Sequence, residues 1–316
     1  MATSMAMALF APLLLFLSSV SSAPTSGELN ARAGVSLPAG FTKVLFEDDF
    51  STQAAGSLPS PSKWTFDIGT GYPGGPAQWG TNEIQTYTNS PANIAITARG
   101  TLQITPLATG GKWTSARIET TADNDFTCAA GTRLRMEASL KLGSGPANTQ
   151  MGVWPAFWSL GSAYRGNYLN WPSVGEIDIM ESLNGLPTAW HTVHCGTASG
   201  GPCSETNGIG TTAGMTRGEW HTLAVEIDRT NPGGDFSGET ISWFVDGTQT
   251  MSLAGSRVGD LGAWTSLART PRFLLLNVAL GGSFADAVAR VKTPTSQTLG
   301  GDGSAMEVGY VAVFST

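Results

Sequence analysis

Apolar and polar residues alternate with a period of two along most of the chain, and no helical period persists beyond a turn or two. Arg133–Leu142 carries the cleanest pattern. Leu134, Met136, Ala138, Leu140 and Leu142 share one face and Arg133, Arg135, Glu137, Ser139 and Lys141 the other, which predicts a strand with one packed and one wet side. Residues 273–280 are apolar on both faces, as a central strand of a sandwich would be, and end at Gly281-Gly282. Residues 93–97 and 101–104 flank Arg99-Gly100 and read as a hairpin; residues 241–246 turn at Asp246-Gly247 into 249–253 as another. Strands are also expected at 44–46, 222–228 and 306–314. Two stacked antiparallel sheets, one of them concave, satisfy this pattern, giving an all-β sandwich over residues 41–316.

One stretch breaks the alternation. In Gly175-Glu176-Ile177-Asp178-Ile179-Met180-Glu181, a regular strand puts Glu176 and Asp178 on one face and Ile177 and Ile179 on the other. Glu181 lies at an odd offset from Glu176 and would point into the apolar core, at a cost of several kcal/mol. A β-bulge at Ile179-Met180 removes the conflict by returning Glu181 to the face of the other acids, with Met180 taken into the packing. The two glutamates would then have Cα atoms roughly 13 Å apart at ~3.3 Å per residue. On a concave sheet their carboxyl groups can lean together toward the ~5–5.5 Å that a nucleophile and an acid/base need in retaining glycoside hydrolysis. Asp178 between them forces the three acids to hold at least one proton. A solvent-facing acidic strand is the plainer alternative.

The surroundings favour the chemical reading. Trp154 and Trp158 in Trp-Pro-Ala-Phe-Trp, and Trp171 in Trp-Pro, lie close upstream, and indole rings stack on sugar faces while their N–H groups reach hydroxyls. The combination Trp-Pro-Ala-Phe-Trp followed by Trp-Pro-x-x-Gly-Glu-Ile-Asp-Ile-Met-Glu resembles glycoside hydrolase family 16, in its laminarinase-type branch with the bulged Glu-x-Asp-x-x-Glu motif. The resemblance extends to Trp-Gly-x-Asn-Glu-Ile-Gln-x-Tyr at 79–87, Ser115-Ala116-Arg117-Ile118, Thr192-Val193-His194 and Leu276-Asn277-x-Ala279-x-Gly281-Gly282. It implies a concanavalin A-like β-jelly roll with substrate across the concave sheet. It also implies Glu176 as nucleophile, Glu181 as acid/base and Asp178 as the group that orients the nucleophile. By position, Asn82, Arg117, Trp154, Trp171, His194 and Asn277 would bind substrate, with His194 near the acid/base and Trp158 in the core. A turn asparagine, a surface arginine and a loop histidine are the structural alternatives for Asn82, Arg117 and His194.

Composition narrows the class. The chain of 316 residues is only 13% charged, with 40 glycines and 17 prolines, which suits many short strands joined by turns. Residues 1–23 carry no charge and include an apolar run of about twelve residues, too short for a bilayer span. They read as a secretory signal cleaved after Ala23, followed by a flexible segment at 24–40 and a secreted, extracellular catalytic domain. A net charge of −7 argues against nucleic acid and anionic membranes as partners and is compatible with a neutral polysaccharide, bound by a monomer. Cys195 and Cys203 bracket a Gly-rich loop that a disulfide would close, leaving Cys128 as a buried free thiol. The hydrolysis requires no cofactor. The resemblance implies a structural calcium held in part by an acid in the final strand, but Gly309 stands there and offers no ligand oxygen, which puts the ion in doubt, although Glu47 and Asp48 could still contribute oxygens. The expected activity is retaining endo-hydrolysis of β-1,3- or mixed β-1,3(1,4)-glucan. Another β-linked polymer such as β-1,3-galactan, transglycosylation, and non-catalytic glycan binding remain alternatives.

Overall fold

The computed structural model describes residues 35–231 and 233–316; the expected signal at 1–23 and most of the segment at 24–40 lie outside these residues. Val35 already packs against Phe41, Ala312 and Phe314, so the ordered domain starts before residue 41.

Alternation becomes two antiparallel sheets. One runs in the order Thr248–Ala254, Thr240–Val245, Trp220–Asp228, Arg133–Leu142, Met306–Ser315, Leu102–Ile104 and Ile94–Ile96, with Lys43–Asp48 also pairing with Met306–Ser315. The other runs Ile209–Gly214, Thr188–His194, Glu176–Glu181, Val153–Gly161, Arg272–Leu280, Arg117–Thr120 and Trp64–Phe66. Both expected hairpins form, and Asp246 and Gly247 sit at φ +50° and +76° in the turn that an Asp-Gly pair permits. Arg272–Leu280 is buried along its whole length between Val153–Gly161 and Arg117–Thr120, as its apolar faces required.

The main core lies between the sheets, where Ile177, Ile179 and Met180 meet Met136, Leu223, Val225 and Trp243. The polar face of Arg133–Leu142 is less wet than its sequence suggests. Arg135 bonds Glu137 and Glu226, Tyr310 Oη donates to Glu137, and these long side chains shield one another. A central strand has neighbours on both sides, and their side chains cover its outer face. Helices are short: Leu261–Ala268, capped by the Asp260 carboxylate, and Ser283–Ala289.

Candidate active site

The bulge falls where the misplaced acid requires it. Asp178 pairs with Thr192 and Glu181 with Trp190, so Ile179 and Met180 together face the single residue His191. On the other side Phe157 pairs with Met180 and Trp158 with Asp178, skipping Ile179. Ile177, Ile179 and Met180 are fully buried, and Glu176, Asp178 and Glu181 all line one cleft on the opposite face. Backbone carbonyls released from the ladder find other donors. Trp243 Nε1 donates to the Asp178 carbonyl at 2.8 Å from the opposing sheet, and His191 Nδ1 is 2.7 Å from the Ile179 carbonyl. His191 Nε2 in turn lies 3.0 Å from Thr250 Oγ1. Gly175 enters the strand at φ +75°, and a Cβ there would stand 2.4 Å from the Ser266 carbonyl oxygen, so glycine is required.

Each glutamate has its own indole. Trp171 Nε1 donates to Glu176 Oε2 at 3.1 Å and Trp154 Nε1 to Glu181 Oε1 at 2.9 Å. Burial raises the pKa of Glu176, against the pull of His194 and Trp171. Glu181 is pushed up to about 7, again chiefly by burial, with His194 and Trp154 opposing and Glu176 adding to the rise. Asp178 is held well above the ordinary carboxylate range by burial and by the charges of Glu176, Glu181 and Glu205. A cleft with one ionised and one protonated glutamate near neutral pH can attack a carbon and protonate a leaving oxygen.

The expected substrate residues divide. Trp154, Trp171, Arg117 and Asn277 line the cleft. Arg117 is no surface arginine: it is 5% exposed, bonded to Asp67 Oδ2 at 2.9 Å, and lies between the rings of Trp79 and Trp158 at 4.6 and 4.8 Å. Its part is to carry the aromatic floor. Asn277 accepts from Trp158 Nε1 at 2.8 Å and donates to Tyr87 Oη at 3.2 Å. Asn82 does not line the cleft; it takes φ +63° in an exposed turn and donates to Ser283 Oγ, while Thr81 and Glu83 beside it face inward. His194 stands opposite Glu176 in the register, at the Glu176 end of the strand rather than beside Glu181, with Nε2 3.6 Å from Asp178 Oδ2.

Trp158, expected in the core, faces the cleft instead. Its strand sends Trp154, Ala156, Trp158 and Leu160 to one side, a period-two signal legible from Trp154 onward. Glu205, His191 and Trp243 had no such signal, because their contacts with His194 and the bulged strand form only in the folded chain. Cys195 and Cys203 form the disulfide, with Cα atoms 5.3 Å apart, and Cys128 is buried and free. Two of the candidate calcium positions have little to offer an ion. Asp48 accepts from Trp64 Nε1, the Phe50 amide, Gln53 and Lys63, leaving little for a cation, and Gly309 sits in a bulge without a side chain.

Comparisons with known proteins agree with this geometry. An XgeA-like catalytic domain of glycoside hydrolase family 16 matches residues 145–242. A β-glucanase of Rhodothermus marinus is 31% identical over 255 residues, covering 77% of this chain and 77% of that protein. The crystal structure of an endo-1,3-β-glucanase from Streptomyces sioyaensis superposes with a TM-score of 0.83 at 43% identity, over 90% of this chain and 99% of that one. An endo-β-1,3-glucanase from Pyrococcus furiosus superposes at 0.63 with 27% identity, over 86% and 94% of the two chains. A jelly roll, a bulged Glu-x-Asp-x-x-Glu strand on its cleft and these relatives together place the chain in glycoside hydrolase family 16, on its laminarinase-like side.

Proposed function

We propose that the protein is a retaining endo-β-glucanase that cleaves β-1,3- or mixed β-1,3(1,4)-glucan by double displacement. Glu176 attacks the anomeric carbon while Glu181 protonates the departing oxygen; Glu181 then takes a proton from the water that releases the glycosyl group. Asp178, kept neutral by its neighbours, orients Glu176. The observation that carries the reading is the bulge: one extra residue brings two glutamates, each bonded to its own indole, to one cleft. Structural relatives named for β-1,3-glucan support the substrate. Four tryptophans, Trp79, Trp154, Trp158 and Trp171, wall the cleft beside the acids, and their faces suit a neutral sugar chain. The apolar run within the uncharged residues 1–23 and the disulfide support secretion. Among the described residues no helix is long and apolar enough to cross a membrane.

Glu176→Ala should lower kcat on laminarin by about four orders of magnitude or more while the fold and glycan binding persist. Proton NMR of the wild-type reaction should show the β-anomer released first. Release of the α-anomer, or full turnover by the variant, would refute the mechanism.

A further inference from the structure

Glu205 has no part in the chemistry above, yet its side chain is 0% exposed beside it. Its Oε1 accepts the Cys195 amide at 2.8 Å, and its Oε2 lies 2.8 Å from His194 Nδ1. The other ring nitrogen of His194 is 3.6 Å from Asp178 Oδ2, a buried oxygen with no hydrogen-bond partner among the described residues. A carboxylate on Nδ1 places a proton there and turns Nε2 toward the acids, the arrangement by which buried carboxylates elsewhere orient functional imidazoles. The loop that supplies Glu205 is closed by the Cys195–Cys203 disulfide, and Gly200 and Glu205 exchange backbone hydrogen bonds across it.

We propose that Glu205 is a positioning residue for the double displacement: it holds His194 as an imidazolium whose Nε2–H faces Asp178 and Glu176, placing one positive charge beside the carboxylates. The inference rests on the roles of Glu176 and Glu181 proposed above. Facing the ring are Glu176, Asp178 and Glu181 from the bulged strand, Glu205 from the disulfide loop, and the Trp171 indole at 5.4 Å. Burial opposes a charge on the ring; the Glu205 hydrogen bond and the charges of Glu176, Glu205 and Glu181 outweigh it, so His194 stays protonated above its ordinary range. The imidazolium in turn draws Glu176 and Glu181 down against burial. Arg117 also lowers Glu176, but its guanidinium is already paired with Asp67.

Glu205→Gln tests this, since an amide oxygen can still accept the Cys195 amide while the charge is gone. His194 then gives up its proton at lower pH, Glu176 and Glu181 both rise, and both limbs of the kcat/KM profile on laminarin move up by about one unit. A variant that loses thermal stability while both limbs stay put would reduce Glu205 to a loop anchor and overturn the proposal. Adding the substitution to His194→Gln should move the limbs no further; a further shift would mean that Glu205 acts by another route. NMR titration of wild-type imidazoles needs no activity, and with three histidines in the chain the His194 signal is assignable. A midpoint above the ordinary histidine range supports the proposal, and one at or below it rules the proposal out. Wild-type inactivity on β-glucans would instead count against the proposed function alone.

Discussion

Under the proposed mechanism, Trp154 and Trp171 act on two different limbs of one rate profile. Each indole N–H stabilises the ionised form of the glutamate it touches, so its loss raises that carboxyl's pKa. Trp171→Phe keeps an apolar ring and should lift the acidic limb, where Glu176 must be ionised. Trp154→Phe should lift the alkaline limb, where Glu181 must be protonated. Hydrogen bonds to charged groups of ~1.5–3 kcal/mol translate into about one to two units in each case. The check is kcat/KM against pH for both variants; movement of the same limb in both would show the pairing to be wrong. The aromatic residues that make the site were visible in the sequence, but their bonding partners were not. Arg117 shows why. Its neighbours Asp67, Trp79 and Trp158 come from separate parts of the chain, and no local pattern announces a guanidinium between two rings.

The bulged strand is the element on which catalysis depends, and its anchors can be tested apart from its acids. Trp243→Phe leaves the Asp178 carbonyl without its donor, and His191→Phe does the same to the Ile179 carbonyl. Each should cost about 1–3 kcal/mol in chemical denaturation and lower kcat more than it changes KM, because the carboxylates lose their alignment while the cleft walls remain. Loss of stability with kcat intact would mean that the bulge keeps its shape unaided. Deleting Met180 shortens the offset between the two glutamates from five residues to four, so a regular ladder without the bulge still sets the second glutamate opposite Trp190 on the cleft face. The deletion variant should therefore fold and keep measurable activity on laminarin, and a folded but wholly inactive one would disprove the register argument. The position of the bulge was legible because an odd offset between two acids admits few solutions. Its anchors were not, since Trp243 lies 65 residues away in the opposing sheet.

At the scale of the whole molecule, the buried acids tie stability to pH. Burial pushes the Glu181 carboxyl up to about 7 from the ordinary glutamate range near 4.5, so the stability it contributes is fully present below 4.5 and is lost as pH rises through 7. His194, also raised, loses its contribution in the same direction. Glu239 and Glu307, lowered by arginine, lysine and other donors despite burial, act oppositely and weaken the fold only as pH falls below the carboxylate range. Thermal stability should therefore decline between pH 6 and pH 8, by about 1 kcal/mol from Glu181 alone, and Glu181→Gln should flatten that decline. An unchanged slope in the variant would show that Glu181 is not the group responsible.

Period-two alternation alone determined an all-β sandwich, its central strand, its hairpins and the extra residue that turns Glu181 to the cleft, because each of these is a demand of local geometry on neighbouring side chains. Which groups surround the acids was decided only by tertiary structure: Trp158 in the cleft, Arg117 beneath the aromatics, His191 and Trp243 on the bulge, Glu205 behind His194. Those contacts join residues far apart in the chain, and desolvation and hydrogen bonding act on distance in space rather than on order in sequence.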